Sequence, residues 1–429
     1  MMTTLTHTPE QGASKIVLET TVIRSWKAPV SFGIITLLSL ILFVVFSRPG
    51  VSQFRLTAEA NLIQLPVISF PTVATCVIIT VLMAALTVLA ALRVRSGHKV
   101  SLWLVALFGF LFLVNFLTWA GAGSSIPVYG LLLGTVALSA PLIFGALGGV
   151  ISERSGVVNI AIEGQMLAGA FVSAMIASIT RSPFLGLLGA MVAGMLVSFI
   201  LAAFAIKYLV DQIIVGVVLN VLVLGLTNFL YSTVMTANPE LLNSPPRFDR
   251  LPIPVLSEIP IIGPLLFQQT IIIYIMYVAI AAVWFGLYRT RWGLRVRAVG
   301  EHPQAADTVG IKVGLTRFWN VSLAGAVAGL GGAYFTLGSV GSFNKEMTAG
   351  AGFIALAAVI FGQWDPIKAT LAALLFGFAT NLQSVLGIIG SPVPSEFMLM
   401  LPYIVTILAV AGFVGKSRGP AASGKPYIK

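Results

Sequence analysis

The stretch Gly145-Ala-Leu-Gly-Gly-Val-Ile-Ser-Glu-Arg-Ser-Gly-Val-Val-Asn-Ile-Ala-Ile-Glu-Gly-Gln-Met-Leu-Ala-Gly169 decides the fold. It closes one long apolar run, breaks at Glu153, Arg154, Ser155 and Gly156, and opens a second apolar run that contains Asn159 and Glu163. Gly145 and Gly149 sit four apart, a spacing that lets two helix backbones approach closely. Asn159 and Glu163 are also four apart, which predicts a shared face on the second helix. A carboxylate near mid-membrane costs about 2.5–3.5 kcal/mol on insertion scales, so it faces a polar cavity or a partner. Asn159 and Glu163 are therefore candidates for shaping a polar pathway, with an interhelical hydrogen bond as the structural alternative. Glu153 and Arg154 read as a solvated interfacial pair.

The same alternation of long apolar runs and short polar breaks extends over the whole chain. Of 429 residues, 58% are apolar and 9% charged, against about 45–50% and about 25% in soluble proteins. This composition excludes a water-soluble enzyme, a disordered chain and a nucleic-acid-binding domain. Apolar segments fall at 29–46, 69–92, 101–121, 127–149, 160–180, 184–206, 213–235, 268–288, 318–338, 348–362, 369–389 and 397–414. A spanning helix needs about 20 apolar residues, so the expected fold class is all-α, a polytopic transmembrane bundle of about 12 spans. With the N-terminus inside, 19 of the 25 Lys and Arg residues fall in cytoplasmic loops and 6 outside, which predicts that both termini are cytoplasmic. The segment 348–362 is short and rich in Gly and Ala. It suits a re-entrant segment as well as a crossing one, and crossing is expected because otherwise the basic tail would lie outside. The chain divides into a cytoplasmic tail (1–28), a membrane extension of about three spans (29–126), a core (127–414) and a basic cytoplasmic tail (415–429). The expected location is the plasma (inner) membrane of a bacterium.

The single cysteine, Cys76, admits no disulfide framework. His7, His98 and His302 are scattered, and no Cys/His cluster has metal-ligand spacing, so no metal site is expected. The polar first 28 residues do not read as a cleavable signal. Two loops stand out. The first, 236–267, carries Pro239, Pro245, Pro246, Pro252, Pro254, Pro260 and Pro264, and such a stiff, irregular segment suits a docking surface or a lid. The second, 289–317, carries six cations and the run Arg295-Val-Arg-Ala-Val-Gly-Glu-His-Pro-Gln-Ala-Ala-Asp-Thr-Val-Gly-Ile-Lys312. Pro303 suits the first turn of a helix and Gly310 its left-handed end, so a helix of about two turns is predicted between them. Its small face, Ala305 and Ala306, suits either insertion into a groove on a cytosolic partner or a connector lying on anionic lipid.

Together these two stretches resemble the membrane permease of an ABC importer, in the group of branched-chain amino acid, simple-sugar and nucleoside permeases. Glu153-Arg-Ser-Gly-Val-Val-Asn-Ile followed by Glu163-Gly resembles the members that serve nucleosides or simple sugars. Gly300, Glu301, Pro303, Ala305, Ala306, Gly310 and Ile311 lie in a segment similar to the one that couples such permeases to their ATPase. Ala324-Gly-Ala-Val-Ala-Gly-Leu-Gly-Gly332 and Gly350-Ala-Gly-Phe-Ile-Ala-Leu-Ala-Ala358 also fit the group. The resemblance covers roughly 127–414, and residues 1–126 depart from the shorter members. It implies a second permease subunit, as homo- or heterodimer, a cytosolic ABC ATPase, an extracytoplasmic solute-binding protein and surrounding membrane lipid. It implies no nucleic acid, and it implies a non-catalytic chain without a cofactor of its own, ATP being bound by the partner.

The residues agree with that division of labour. No Gly-x-x-x-x-Gly-Lys-[Ser/Thr] phosphate loop is present: before Gly415, Lys416 and Ser417 the first glycine is replaced by Val410. Asn115, Asn220, Asn228, Asn320, Asn381 and Gln383 lie within apolar runs, where helix-to-helix bonding worth about 0.6 kcal/mol on average is the common role. Asn220 and Asn228, two turns apart on one face, are further pathway candidates. Phe229, Tyr231 and Phe343 suit either the pathway or the interfacial aromatic belt. An ion-coupled secondary transporter is the alternative function, with Glu163 as its one candidate coupling carboxylate. An intramembrane enzyme is disfavoured, since no Ser/His, paired Asp or metal constellation falls within the spans.

Overall fold

The computed structural model describes residues 25–57, 64–391, 393–394, 396–398, 400 and 419–428. The chain forms two compact units. The first comprises Met1–Ser52 and Ser69–Ser124. Its helices are α1 (Lys27–Ser39, continued by a wide turn to Val45), α2 (Thr72–Arg95) and α3 (Leu102–Ala120). Phe32 stacks on Phe108 at 4.0 Å between centroids, and the Asn115 amide donates to Thr80 Oγ1 at 3.0 Å. Asn115 thus ties α3 to α2, the role that polar groups in apolar helices commonly take.

The second unit comprises Gln53–Ile68 and Ser125–Lys429. It contains α4 (Val128–Arg154), α5 (Ile162–Thr180), α6 (Pro183–Ala202) and α7 (Gln212–Leu230). A long loop follows, holding α8 (Pro239–Leu242) and α9 (Ile262–Leu266), and within it Arg250–Pro252 pairs antiparallel with Gln268–Thr270. Then come α10 (Ile271–Arg289), α11 (Arg291–Glu301), α12 (Pro303–Thr308), α13 (Val313–Ala333, continued by a wide turn to Val340), α14 (Ala351–Phe361) and α15 (Pro366–Ile388). Local signals start and stop these helices. Pro183, Pro303 and Pro366 occupy first-turn positions, where a missing N–H costs nothing. Asp211 Oδ1 caps α7 by accepting from Ile213 N at 2.8 Å.

Ten of the helices among the described residues are long and apolar enough to cross a membrane. The expected segment at 397–414 lies almost wholly outside the described residues. The centre of the second unit is a small-residue interface among α5, α6 and α13. Gly194 and Gly325 face each other's carbonyls, and Gly329 lies against Gly169 and Ala190. On the other side of α13, Gly148 of α4 abuts Ala324 and Gly331 abuts Pro141, so α4 and α13 run antiparallel. Close backbone approach replaces the hydrophobic driving force that lipid does not provide.

The segment 348–362 is not a full-length crossing helix. α14 has 11 residues, about 16 Å at 1.5 Å per residue, or half of a hydrocarbon core of about 30 Å. Before it the backbone is non-helical from Ser342 to Gly350, with Glu346, Ala349 and Gly350 all at positive φ. Left-handed residues cannot continue a helix. The chain nevertheless traverses the unit. Phe343 is held by Asn243 of the long loop, with N–H to Oδ1 at 2.7 Å and Nδ2 to O at 2.9 Å. At the far end Arg154 Nε donates to the Trp364 carbonyl at 2.8 Å. Ala355 lies against Gly145 and Val359 against Gly149, so α14 runs alongside the last turns of α4.

Candidate functional site

The start of α5 lies deep within the unit. Ile162 abuts Gly145 and Gly149 of α4, so it lies about 8–14 Å inward of Arg154 by helical rise. α4 ends at Arg154, Gly156 turns the chain at φ 92°, and residues 157–161 lead back inward without helix. Asn159 therefore precedes the helix and shares no helical face with Glu163. The i, i+4 reading does not hold there because the glycine turn delays the helix to Ile162.

The Glu163 carboxylate closes the mid-depth start of α14. Its Oε1 accepts from Thr348 Oγ1 at 2.6 Å and from Gly350 N at 2.9 Å, and its Oε2 accepts from Gly352 N at 2.6 Å. A helix N-terminus presents unpaired N–H groups and a partial positive charge, and a carboxylate satisfies both. The sequence alone names no partner for Glu163. The partner is the backbone of Gly350 and Gly352, within the Gly350–Ala358 run quoted above.

Asn220 performs the matching task at the start of α5. Its Oδ1 accepts from Gly164 N at 2.8 Å and its Nδ2 donates to Ile160 O at 2.8 Å. Asn159 and Gln165 exchange two amide bonds of 3.0 and 3.1 Å, and Gln165 also donates to Ser198 Oγ at 2.9 Å. Gln212 Oε1 accepts from Val158 N at 2.7 Å. Asn159, Glu163 and Asn220 thus hold two broken helices in register, and Gln165, Gln212 and Thr348 join them.

Asn228 is different. Its Nδ2 donates to Glu346 Oε1 at 3.3 Å, while its buried Oδ1 has no partner among the described residues. Nearby, Tyr231 packs against Phe343 at 5.8 Å, and Lys345 Nζ stands 5.9 Å from the Tyr231 ring. Asn344, Lys345, Glu346 and Ala349 of the non-helical segment are exposed. Glu346 is missed by sequence reasoning, which has Glu163 as its one candidate carboxylate, although Glu346 is the one acid between Gly338 and Gly362. Among the described residues no group of three or more His, Cys, Asp or Glu is placed to hold a metal.

At the Arg154 end, α11 and α12 form an angled pair. Pro303 sits at N1 of α12 and Gly310 is left-handed at φ 86°, as their positions in the sequence predict. Gly300 packs directly on the Arg154 carbonyl. Ala306 is buried with Val299 and Val313, whereas Glu301, Ala305 and Gly310 are exposed and Ile311 is half-buried. Ala305 and Ala306 do not form one small face, since adjacent helical residues point about 100° apart. The surface that α12 offers is Glu301, His302, Gln304, Ala305, Thr308 and Val309.

Comparison with known proteins bears on both regions. A family profile described as "Branched-chain amino acid transport system / permease component" matches residues 131–410, and α1–α3 precede the match. The guanosine ABC transporter permease protein NupQ of Bacillus subtilis is 45% identical over 308 residues, covering 69% of this chain and 95% of that protein. The nucleoside ABC transporter permease protein NupC of Lactococcus lactis is 41% identical, over 68% of this chain and 94% of that one. A putative glucose ABC transporter permease protein, TsgC13 of Haloferax volcanii, is 36% identical over 59% of this chain and 77% of its own length. No solved structure matches the chain. With ten helices apolar enough to cross a bilayer and a profile match over most of its second unit, the chain belongs to the branched-chain amino acid transport system permease family and is a multi-pass membrane permease subunit of the ABC transporter class.

Proposed function

We propose that this chain is the membrane subunit of an ATP-driven importer of nucleosides, with simple sugars as the neighbouring substrate class. In this reading it works in the plasma membrane with a second permease subunit, a cytosolic ABC ATPase that hydrolyses the ATP, and an extracytoplasmic solute-binding protein. The crossing at 341–361, half irregular and half helix, is the observation that carries the reading. Transporters place solute where helices are broken near the bilayer midplane, because free backbone groups and irregular chain are tolerated there only beside a cavity.

The exposed side of that segment suits an uncharged nucleoside. Tyr231 offers a ring face for a base and the exposed Glu346 accepts from ribose hydroxyls, while Asn228 behind it donates to Glu346 and holds that carboxylate in place. Asn159, Glu163 and Asn220 shape the path from behind by fixing the two helix starts. α12 is the part gripped by the ATPase, whose closure tilts the adjoining helices. The partner supplies the differential contacts that a population shift requires.

The test is uptake of labelled guanosine by proteoliposomes carrying the complex with its ATPase and binding protein. Asn228→Ala and Glu346→Gln each raise KM roughly 2- to 12-fold, the worth of one hydrogen bond. Unchanged KM in both removes this surface from the path. Ala305→Arg leaves the chain inserted but abolishes uptake, and normal uptake would refute α12 as the gripped element. Uptake that survives ATP depletion and collapses with the proton gradient would make the protein a secondary transporter instead.

A further inference from the structure

The C-terminal residues 419–428 fold back over α11, α12 and the base of α13, and the proposed function does not account for them. The contacts are mostly with backbone. Ala422 N donates to Gly300 O at 2.9 Å, and Ala421 N donates to Glu301 Oε2 at 3.2 Å. The Lys425 carbonyl accepts from Arg317 Nη1 of α13 at 2.9 Å. Tyr427 packs against the Val299, Ala306 and Val313 cluster and donates its phenol proton to Asp307 of α12. Gly419 lies against the Trp364 ring, in the turn between α14 and α15. The segment is kept compact by its own turns, Ser423 N to Pro420 O at 2.9 Å and Lys425 N to Ala422 O at 3.2 Å.

These contacts matter because α12 has little else to hold it. It is six residues long, with only Pro303 and Ala306 buried, and a helix that short is unstable alone. A push on a loosely held element would be spent in moving that element. Arg317 makes the fastening costly to undo. Its side chain is 2% exposed, and its Nε and Nη2 have no acceptor among the described residues. Among the described residues Lys425 O is the acceptor for this guanidinium, and releasing it would leave a buried charge without a hydrogen bond. Tyr427 is held above the ordinary tyrosine range, first by desolvation and then by its bond to Asp307 and that carboxylate's charge. Its neutral, donating form therefore persists through that range and is lost only as the pH rises through the raised value.

We propose that residues 419–428 are a clamp that fastens the ATPase-facing helix α12 to the base of α13, so that movement of the ATPase reaches the membrane as movement of α13. This rests on the reading of α12 as the ATPase contact. Removing the clamp uncouples hydrolysis from transport without removing the surface that the ATPase binds. α13 is the most enclosed helix of the core and packs on α4, α5 and α6, so a push delivered there reaches both broken helices.

The experiment compares the full chain with a variant lacking 419–429, each assembled with its ATPase and binding protein in proteoliposomes. ATPase co-purification, ATP hydrolysis and guanosine uptake are measured. The ATPase should still co-purify and hydrolyse, while uptake per ATP falls roughly 2- to 30-fold, the range for lost coupling contacts. Ala422→Pro keeps the segment but removes the N–H that binds Gly300 and strains the Pro420–Ser423 turn that presents it, and it should shift the same ratio in the same direction. If the truncated chain fails to insert, Ala422→Pro decides alone. An unchanged uptake-per-ATP ratio overturns the clamp. So does loss of ATPase binding in an inserted variant, because the segment would then be the docking surface itself. If no ATPase co-purifies with the full chain, the functional reading fails instead, and that outcome is separable from the others.

Discussion

Replacing Glu163 by alanine is expected to abolish uptake and to lower the stability of the second unit by at least about 3 kcal/mol, taking about 1.5–3 kcal/mol for each hydrogen bond to a charged group and allowing for non-additivity. The carboxylate receives three such bonds, from Thr348, Gly350 and Gly352. Alanine leaves two backbone N–H groups at the buried start of α14 without acceptors, and a cavity where the carboxylate stood. Glu163→Gln separates charge from shape: it keeps the volume, but its amide hydrogens meet the Gly352 N–H, so one bond is lost and a repulsive contact appears. The expected order of both uptake and melting temperature in detergent is wild type, then Gln, then Ala. Glu163→Asp falls below Gln in uptake, because a side chain one methylene shorter cannot reach both Gly350 and Gly352. Equal melting temperatures and equal uptake across the three variants would sink the assignment. Loss of uptake at wild-type stability would show that the carboxylate acts on solute or on the switching step rather than on the fold.

Much of this arrangement was legible in the sequence, and what was not has physical reasons. The long apolar runs, the turn at Gly156 and the short helix between Pro303 and Gly310 follow from side-chain polarity and from the backbone demands of proline and glycine. Glu163 could be singled out because a carboxylate within an apolar run needs a partner or a polar cavity. Its partners could not, since two of the three are backbone N–H groups, which almost every residue carries, and the third is one hydroxyl, Thr348, among many. The half-length of α14 was hinted at by the shortness and Gly/Ala content of 348–362, but the place of the break was hidden. Gly350 marks one left-handed position, but Glu346 and Ala349 adopt left-handed φ without being glycine, so the extent of the break before α14 has no compositional mark. Asn159 read as a helical neighbour of Glu163 because spacing alone cannot tell where a helix begins after a glycine turn. The docking of 419–428 was hidden as well. Its bonds run through Ala422 N and Lys425 O, while its side chains read only as a basic tail. Asn228 and Asn220 look alike in sequence, and the difference between a satisfied amide and one with a free oxygen appears only when the neighbours are in place.

Substituting alanine for Gly329 is expected to destabilise the core by about 1–3 kcal/mol or more, as overpacking of a close-packed interior does, and leucine there is expected to prevent accumulation of folded protein. A β-carbon at Gly329 would run into the Ala190 carbonyl, and the Gly329 backbone itself lies against Gly169 and Gly194. The obstacles are main-chain atoms of α6, so no rotamer change relieves them, and α6 and α13 must separate. Gly225 of α7 supplies the internal control, since a β-carbon there meets nothing within 4 Å. Gly225→Ala should be neutral, or stabilise by up to about 1 kcal/mol through helix propensity. Measuring both variants by thermal unfolding in the same detergent removes the generic effect of replacing glycine in a membrane helix. If the two alanine variants behave alike, the close contact of α5, α6 and α13 is not what holds the core. If Gly329→Ala inserts at normal levels and loses uptake, the helices meet but need that closeness to move as one block. The wide separation expected between the two substitutions follows from the distance between backbones, because the residue replaced and the residue introduced are the same in both.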